Sequence, residues 1–452
     1  MTFALIVLAA GKGSRMNSEL PKVLHPLAGA PLYLHALNSG RALNPDRVVL
    51  VTGVGADQVA ASAEKHQVEA DIVVQSEQLG TGHAVAQAQP ALLDFQGDVL
   101  VLYGDTPFIT TETLQAMKTA REDGNDIVVL GFNAADPGRY GRLVMDGDAL
   151  TRIVEFKDAD KEERAITLCN SGVVLADSAK MFDLVNSLKS DNAGGEYYLT
   201  DIVALAGSQN LSATVVTCDE AETLGINTRA ELARAERLFQ QNARHQALES
   251  GVTMTAPETV FFAYDTHLGR DSLIEPNVIF GPGVTVETGA TIRAFSHLEG
   301  CHIGSGASVG PFARLRPGTE LSNDSKVGNF VEVKNATLGE GAKVNHLSYI
   351  GDASIGDAAN VGAGTVTCNY NGVEKFRTEI GARAFIGSDT MLIAPVRIGD
   401  EAMTASGSVI TKDVPDGALA LGRTEQTIKP GAARRLFDMY KKAKAKRYKV
   451  TK

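Results

Sequence analysis

The fold of the C-terminal half is decided by residues 303–333, which read IGSGASVGPFARLRPGTELSNDSKVGNFVEV. Aliphatic side chains recur there at every sixth position, namely Ile303, Val309, Leu315, Leu321, Val327 and Val333. The period extends back to Val286 and, with interruptions, forward to Ile398. It is typical of a parallel β-helix, with aliphatic side chains inside the prism and small residues at its corners. We therefore predict about ten coils over residues 252–428, stacked about 4.8 Å apart.

A few polar residues break the aliphatic pattern and are candidates for chemistry. Arg316 and Lys334 are one coil of 18 residues apart, so we expect them to lie side by side. Neighbouring cations repel each other unless an anion lies between them, and a sugar phosphate is the obvious anion. His346 and Tyr349 follow in the next repeats. Residues 364–377 interrupt the series altogether, and we predict that they form a protruding loop.

The N-terminal half alternates apolar strands with helical segments. Buried strands are predicted at residues 3–9, 47–51, 71–74, 98–103 and 126–130. Continuous apolar strands that alternate with helices indicate an α/β fold with a largely parallel sheet. A hairpin with Asp146-Gly147 at its turn follows this alternating region, so the predicted sheet is mixed. The predicted fold class is thus a Rossmann-like α/β domain followed by a β-helix.

The sequence predicts four consecutive segments. A helix is expected after Asn227, because Thr228 and Glu231 have the spacing of a capping box and Gly251 suits the helix end. The segments are an α/β domain at 1–228, a helical linker at 229–251, a β-helix at 252–428 and a basic tail at 429–452. The tail holds ten Lys or Arg residues and one acidic residue.

Composition excludes several classes of protein. The 452 residues carry a formal net charge of −11, which argues against non-specific nucleic-acid binding. The longest apolar run has eight residues and is too short to span a bilayer, so we expect no membrane association. The four cysteines have no short spacing, which argues against a zinc ribbon or a disulfide framework and favours the reducing cytoplasm.

A glycine-rich turn follows the first strand and reads Gly11-Lys-Gly-Ser-Arg-Met16. It fits neither the Rossmann fingerprint nor the Walker A motif. Three cations, Lys12, Arg15 and Lys22, lie close to it, so the turn is a candidate phosphate-binding site. Asp105 ends another strand, where it either binds Mg²⁺ or caps the next helix.

These motifs resemble a known family. Residues 8–16 with Pro21-Lys22 resemble the signature of sugar-phosphate nucleotidyltransferases. Residues 75–81, 103–105 and 195–201, together with the hexapeptide repeats, resemble the bacterial bifunctional enzymes that make UDP-N-acetylglucosamine. The resemblance covers nearly the whole chain. It implies that acetyl-CoA acetylates glucosamine-1-phosphate and that UTP then donates UMP to the product, with release of pyrophosphate.

The resemblance implies roles for residues of the N-terminal domain. Asp105 and Asn227 would bind Mg²⁺, and Arg15 and Lys22 would stabilise charge on the phosphates. Gln75 and the Gly80-Thr81 backbone would pair with the uracil edge. Gly141, Glu155 and Asn170 would contact the N-acetylglucosamine group. The implied nucleotide-binding residues are Leu8, Ala9, Ala10, Gly11, Lys22, Gln75, Gly80, Thr81, Tyr103, Gly104 and Asp105.

The resemblance also implies an acetyltransferase site in the β-helix. His346 would be the general base, Arg316 and Lys334 would bind the sugar phosphate, and Tyr349 and Asn360 would contact the sugar. The implied acetyl-CoA groove consists of Ala363, Asn369, Tyr370, Ser388, Ser406 and Arg423. Ser406 stands where the family more usually has alanine, and Ser14 where it usually has threonine. Family members are homotrimers with left-handed β-helices and with each groove between chains.

Three questions stay open on the sequence alone. The basic tail either covers the acetyl-CoA groove or is solvated. The β-helix is either an acetyltransferase or a non-catalytic oligomerisation domain of a nucleotidyltransferase. A zinc hydratase would need three converging histidines, and the repeats hold only His297, His302 and His346, without close pairing.

Overall fold

The computed structural model describes residues 2–450, with side chains described through residue 446. Thr451 and Lys452, the end of the predicted tail, lie outside the described residues. The chain forms two compact units. The first comprises Met1–Glu249 and Phe261–Thr266, and the second comprises Ser250–Val260 and His267–Lys452.

The first unit is an α/β domain built on a nine-stranded mixed sheet, with the order β11-β7-β10-β6-β1-β4-β5 and with β8 and β9 attached as a hairpin at β10. The strands of this sheet are β1 (Phe3–Ala9), β4 (Arg47–Thr52), β5 (Asp71–Val74), β6 (Asp98–Tyr103), β7 (Ile127–Asn133), β8 (Arg142–Asp146), β9 (Ala149–Val154), β10 (Leu168–Asp177) and β11 (Ala213–Cys218). Two further short strands, β2 (Pro26–Leu27) and β3 (Ala30–Pro31), form a separate antiparallel pair. The mixed, mostly parallel sheet predicted from the sequence is confirmed.

The centre of the sheet positions the glycine turn. All seven residues of β1 are buried, and β1 pairs in parallel with both β4 and β6. The carboxyl ends of β1 and β6 therefore open at the same edge, which is where ligands bind in such sheets. Strand β10 is antiparallel to both β6 and β7, which the sequence analysis did not predict.

Helices cover both faces of the sheet, since separate apolar clusters lie on either side of β1. The α-helices of the first unit are α1 (Leu32–Arg41), α2 (Ala56–Lys65), α3 (Thr81–Ala86), α4 (Thr111–Glu122), α5 (Ser178–Asn186), α6 (Ile202–Ser208) and α7 (Arg229–Glu249). Shorter 3₁₀ helices are Ser14–Met16, Lys22–Leu24, Gln89–Leu92, Glu163–Ala165, Leu199–Asp201 and Glu220–Thr223.

Helix α7 starts with the predicted capping box. The Thr228 backbone N–H donates to the Glu231 carboxylate at 2.9 Å, and the Glu231 N–H donates to the Thr228 hydroxyl at 3.2 Å. The helix does not stand free of the first unit. Leu232, Ala235 and Phe239 join an apolar cluster with Leu27 and Ile226. The whole of α7 is therefore part of the first unit.

The second unit is a parallel β-helix of about 180 residues with one wall of ten stacked strands, as the hexapeptide period predicts. The strands are β12 (Thr253–Met254), β13 (His267–Leu268), β14 (Leu273–Ile274), β15 (Ile279–Phe280), β16 (Val284–Val286), β17 (Thr291–Ile292), β18 (His297–Leu298), β19 (Cys301–Ile303), β20 (Ser308–Val309), β21 (Arg314–Leu315), β22 (Thr319–Leu321), β23 (Lys326–Asn329), β24 (Glu332–Leu338), β25 (Lys343–His346), β26 (Tyr349–Ile355), β27 (Asn360–Val361), β28 (Val366–Cys368), β29 (Thr378–Ile380), β30 (Phe385–Ile386), β31 (Met391–Ile393), β32 (Val396–Ile398), β33 (Met403–Thr404), β34 (Val409–Ile410) and β35 (Leu419–Ala420).

The interior of the prism is filled by the periodic aliphatic residues. Ile303, Val309 and Leu315 are fully buried, and so are their equivalents in later coils. The repeat, the parallel stacking and the matching family model are consistent with the expected left-handed β-helix. The burial of one aliphatic side chain per hexapeptide explains why the period could be read from the sequence.

The protruding loop is shorter than predicted. Residues 366–368 form β28 and remain in the wall, paired with β26 and β31. Only residues 369–377 leave the prism, and an antiparallel bridge between Tyr370 and Lys375 closes them into a hairpin-like loop. The correction follows from Val366, Thr367 and Cys368, which keep the strand pairing although the aliphatic series is interrupted.

The basic tail forms helix α8 (Ala432–Val450), which is exposed over the residues whose side chains are described. A 3₁₀ helix, Pro257–Thr259, completes the elements of the second unit. None of the helices in residues 2–450 is both long and apolar enough to cross a membrane.

Two candidate active sites

A cavity of about 300 Å³ opens at the carboxyl ends of β1 and β6 in the first unit. It is lined by Leu8, Ala10, Gly11, Lys12, Lys22, Val23, Gln75, Gln78, Gly80, Thr81, Ala84, Tyr103, Asp105 and Glu196. Most of the predicted nucleotide-binding residues are thus gathered in one place. Ala9 and Gly104 do not line the cavity, and the Ala9 side chain is buried in the apolar core on one face of the sheet. Gly104 acts through its backbone, whose N–H donates to the Leu8 carbonyl at 2.9 Å.

Two glycines, one in the turn after β1 and one lining the cavity, have backbones that a side chain would disturb. Gly13 has a left-handed φ of 61°, and a Cβ there would lie 2.5 Å from Cβ of Lys22. Gly80 has a φ of 114°, and a Cβ there would lie 2.5 Å from the carbonyl oxygen of Tyr197. Glycine at position 13 therefore lets the turn close over Lys22, and glycine at position 80 lets the backbone line the cavity.

The Lys22 ammonium lies between the two predicted metal ligands. It forms an ion pair with Asp105 and donates to the Asn227 side-chain oxygen at 3.0 Å. Arg15 donates to the same Asn227 oxygen at 2.9 Å. An acidic and an amide oxygen therefore converge on one positive charge, and this oxygen-only donor pair fits Mg²⁺, which takes few protein ligands besides phosphates and water.

Zinc ligands do not converge in the same way. Within the described part of the chain, no three His, Cys, Asp or Glu side chains form a group suited to a metal ion. His302 is instead flanked by carboxylates, with its Nε2 at 2.9 Å from Glu287 and its Nδ1 at 3.4 Å from Glu320.

Gln75 is buried and its amide has a defined orientation. The Nε2 group lies 3.0 Å from the Gly80 carbonyl oxygen and 3.1 Å from Nδ1 of His83. The Oε1 atom accepts no hydrogen bond from the described residues, although Gln75 lines the cavity. The sequence analysis missed His83, because an isolated histidine in a short helix has no diagnostic spacing. Only its contact with Gln75 identifies it.

The predicted sugar residues lie together beside the cavity. The Asn170 N–H donates to the Gly141 carbonyl at 2.9 Å, and a Cβ on Gly141 would lie 3.4 Å from Oε1 of Glu155. Burial raises the pKa of Glu155 above its ordinary 4.5, although the Thr200 hydroxyl donates to its carboxylate at 3.2 Å. The arrangement provides a half-buried acceptor next to a glycine floor, which suits a neutral hydroxyl or amide group.

The β-helix brings together the predicted phosphate-binding cations. Strands β21 and β24 pair Leu315 with Val333, so Arg316 and Lys334 are neighbours on adjacent coils. Arg316 donates to Glu332 at 2.8 Å, so its charge is balanced. Lys334 has no carboxylate paired with it in the described chain. The pKa of its ammonium is lowered, mainly by the nearby positive charge of Lys375 and to a smaller extent by that of Arg316. Lys375, which the sequence analysis did not single out, thus joins the cation pair from the protruding loop.

His346 ends β25 next to the start of another wall. Its Nδ1 lies 2.6 Å from the Asn329 side-chain oxygen, one coil away. An amide oxygen can only accept, so Nδ1 carries the proton and Nε2 is left with a free lone pair. Asn360 lies on the same wall as His346, whereas Lys334 and Tyr349 belong to the neighbouring sheet and Arg316 directly follows one of its strands, β21.

The predicted acetyl-CoA residues separate into two groups. Ala363, Ser388 and Ser406 stack on successive coils, linked by bonds from Asp389 N–H to Ala363 O at 2.7 Å and from Gly407 N–H to Ser388 O at 2.8 Å. Arg423 extends this stack by donating to the Ser406 carbonyl at 2.9 Å. Asn369 and Tyr370 are instead carried by the protruding loop, where Asn369 donates to Asp352 and Tyr370 is exposed.

Comparisons with known proteins identify a matching family for each half of the chain. Residues 5–191 match the family model of the MobA-like NTP transferase domain, and residues 377–412 match that of the hexapeptide repeat of succinyl-transferase. The bifunctional protein GlmU of Jannaschia sp. (strain CCS1) is 65% identical and covers 96% of this chain and 95% of its own length. The GlmU proteins of Ruegeria sp. (strain TM1040) and Dinoroseobacter shibae are 63% and 66% identical, over 99% and 98% of this chain and 100% and 99% of their own lengths.

Proposed function

The chain belongs to the family of bifunctional GlmU proteins, which unite a uridylyltransferase with an acetyltransferase, and we propose that it makes UDP-N-acetylglucosamine from glucosamine-1-phosphate. The β-helix acetylates the amine with acetyl-CoA, and the α/β domain then transfers UMP from UTP. The observation that carries the proposal is the convergence of Lys22, Arg15, Asp105 and Asn227 at the open edge of the sheet.

In uridylyl transfer, a phosphate oxygen of N-acetylglucosamine-1-phosphate attacks the α-phosphorus of UTP in line, and pyrophosphate leaves. Such transfer depends on positioning and on charge neutralisation. Lys22 and Arg15 supply positive charge beside the phosphates, and the Gly11–Met16 turn supplies backbone N–H groups. Asp105 and Asn227 would hold Mg²⁺, which adds Lewis-acid stabilisation of the phosphate charge.

The same cavity offers contacts for the base and the sugar. The free Oε1 of Gln75 accepts from N3–H of uracil, and the Gly80-Thr81 backbone faces the base carbonyls. Above the backbone of Gly141, Glu155 accepts a hydrogen bond from the N-acetylglucosamine group and Asn170 donates one to it. These roles are supported by the burial of Gln75, by the raised pKa of the half-buried Glu155 and by the proximity of Gly141 and Asn170.

In acetyl transfer, the amine nitrogen attacks the thioester carbonyl of acetyl-CoA and the CoA thiolate leaves. His346 takes the amine proton on Nε2, because its Nδ1–H is engaged by Asn329. Arg316 and Lys334 bind the phosphate of the substrate, and Tyr349 and Asn360 contact its sugar. The stacked Ala363, Ser388, Ser406 and Arg423, with Asn369 and Tyr370, form the groove for acetyl-CoA.

The test uses the full chain with glucosamine-1-phosphate, acetyl-CoA, UTP and Mg²⁺, each omitted in turn. Full activity should give UDP-N-acetylglucosamine, CoA and pyrophosphate, and omission of acetyl-CoA should stop the sequence before pyrophosphate appears. Product formation from added N-acetylglucosamine-1-phosphate without any CoA-dependent acetylation would instead favour the alternative, a non-catalytic oligomerising β-helix.

We also propose that the chain is a homotrimer associated through the β-helix. Four bulky residues at left-handed φ values of 53–61°, namely Phe295, Phe312, Phe330 and Leu347, form an exposed apolar edge in the single chain. The three phenylalanine rings stack in sequence, with centroids 4.9 and 5.2 Å apart. Such an edge is typical of an interface. Sedimentation should give three times the 47.8 kDa chain mass, and Phe312→Asp should reduce the assembly.

The cytoplasm is the compartment that suits this chemistry. All four cysteines are free thiols, and burial raises the pKa of Cys169, Cys218, Cys301 and Cys368. Thiols without disulfide partners are typical of a reducing compartment.

Lys334→Ala should raise the KM for glucosamine-1-phosphate about tenfold or more, because a charge-assisted contact is worth about 1.5–3 kcal/mol. The KM for acetyl-CoA should change little. Lys375 and Arg316 repel the Lys334 ammonium, and the substitution removes this repulsion. The melting temperature of the ligand-free variant should therefore equal that of the wild type or exceed it slightly. Lys326→Ala, an exposed lysine on another wall, is the control. An unchanged sugar-phosphate KM would make Lys334 a structural residue.

Glu155→Gln should weaken binding of N-acetylglucosamine-1-phosphate about tenfold while stabilising the ligand-free protein at neutral pH. The folded-state pKa is raised by burial, so ionisation of Glu155 opposes folding once the pH exceeds about 4.5. The stability gain of the variant should therefore grow as the pH rises from 4.5. Thermal melts at several pH values measure it, with the exposed Glu122→Gln as control. A gain that is independent of pH contradicts this explanation.

A further inference from the structure

The orientation of the Gln75 amide decides which bases the nucleotide cavity accepts. Uracil presents an N3–H donor, whereas cytosine presents an N3 acceptor at the same place. With Oε1 toward the cavity, Gln75 accepts from uracil and opposes cytosine. With the amide reversed, Nε2 would oppose uracil and donate to cytosine. Whatever holds the amide in one orientation therefore sets the selectivity of the site.

Two acceptors hold the amide in the uracil-accepting orientation. The Gly80 carbonyl oxygen is 3.0 Å from Nε2, and Nδ1 of His83 is 3.1 Å from the same atom. A primary amide has two N–H donors, so each acceptor takes one. Because Gln75 is only 3% exposed, water does not readily replace either acceptor. A buried N–H without a hydrogen-bond partner costs free energy, so the amide orientation that satisfies both acceptors is favoured.

The surroundings of His83 favour the tautomer that accepts at Nδ1. Its ring packs against Tyr197 with centroids 6.3 Å apart, which restricts rotation. Its Nε2 lies 3.2 Å from the amide nitrogen of Gln87, which also donates to the His83 carbonyl at 3.2 Å, so an amide nitrogen faces each ring nitrogen and one of the two amides has to turn its oxygen to the ring. Gln87 is partly exposed, so its amide can turn and water can then satisfy the His83 carbonyl. The buried Gln75 amide has no such freedom. The proton therefore belongs on Nε2, and Nδ1 is left to accept from Gln75.

We propose that His83 is a specificity-determining positioning residue, which holds the Gln75 amide so that the site takes uracil nucleotides and rejects cytosine nucleotides. The inference rests on the proposed uridylyl transfer and on uracil recognition by Gln75. His83 is not among the residues that line the cavity. It acts through the hydrogen bond that it accepts from Gln75.

Two substitutions separate the hydrogen bond from the packing. His83→Phe keeps a ring against Tyr197 but removes the acceptor. His83→Asn places an amide oxygen near the position of Nδ1 and keeps the acceptor. We expect His83→Phe to lower the ratio of kcat/KM for UTP to that for CTP about tenfold, which is about 1.4 kcal/mol. We expect His83→Asn to retain most of the ratio.

The measurement is pyrophosphate release from UTP or CTP with N-acetylglucosamine-1-phosphate, made on the full chain. Acetyl transfer by the same preparations checks the amount of active protein, and a thermal melt checks folding. If His83→Phe does not fold, His83→Ala replaces it. A Gln75→Leu background provides the second control, because there the His83 substitutions should no longer change the ratio.

The possible results distinguish uracil recognition by Gln75 from the positioning role of His83. A wild-type protein that uses CTP as well as UTP overturns uracil recognition by Gln75 and, with it, that part of the proposed function. A wild-type preference for UTP that survives in folded His83→Phe overturns only the role of His83. Equal losses in His83→Phe and His83→Asn would also overturn it, because the acceptor would then not be what matters.

Discussion

Asp105→Ala should abolish uridylyl transfer, with a fall in rate of about 10³-fold or more, and should leave acetyl transfer intact. The substitution removes the carboxylate that pairs with Lys22 and that would bind Mg²⁺ together with Asn227. Loss of several kcal/mol of charge stabilisation corresponds to at least this factor, since 1.36 kcal/mol is one decade. Pyrophosphate release and CoA release, measured on one preparation, provide the comparison.

Two further variants sharpen this experiment. Asp105→Asn keeps the shape of the side chain but lowers its charge, so it should lose nearly as much activity as the alanine variant. Asp94→Ala removes an aspartate that is 84% exposed and lies outside the cavity, so both activities should persist. Loss of both activities in folded Asp105→Ala would contradict the assignment of two independent sites.

His346→Ala should reduce acetyl transfer by about 10²- to 10⁴-fold, the range expected for loss of a positioned general base, without affecting uridylyl transfer. The defect should lie in kcat rather than in the KM for acetyl-CoA, because the imidazole handles the amine proton. Single-turnover acetylation with saturating substrates measures it directly.

The pairing of His346 with Asn329 gives a graded companion to this prediction. Asn329→Ala removes the acceptor 2.6 Å from Nδ1 and so frees the tautomer without removing the base. Its loss of kcat should be smaller than that of His346→Ala. His302→Ala, in the same β-helix but paired with Glu287, is the matched control. Normal acetylation by His346→Ala would remove this histidine from the mechanism.

Features that depend on residues close together in the chain could be predicted from the sequence, whereas contacts between distant segments could not. The strand and the glycine turn at residues 3–16 were identified from local pattern alone, since a buried parallel strand is continuously apolar. The capping box at Thr228 and Glu231 is equally local. In contrast, the antiparallel placement of β10 between β6 and β7 depends on pairing between distant segments, which no local pattern encodes.

The polar contacts of the two sites also join residues that are far apart in the sequence. Arg15 and Asn227 share a hydrogen bond although 212 residues separate them. The sequence did not predict this contact, and Asn227 was assigned to the site only through family resemblance. Lys375 and His83 were not singled out, because each becomes informative only through a neighbour, Lys334 in one case and Gln75 in the other. The loop that carries Lys375 was recognised, but its length was overestimated because β28 keeps its pairing without the aliphatic period.

The β-helix and the α/β alternation are properties of the amino-acid pattern, because every coil and every buried strand repeats the same local requirement for apolar side chains. The identity of the partner of each polar group is not periodic. It depends on which side chains the folded backbone brings within about 3 Å, and hydrogen bonding falls off steeply beyond that distance. The orientation of Gln75, the tautomer of His346 and the cation between Asp105 and Asn227 were therefore decided only by the tertiary structure.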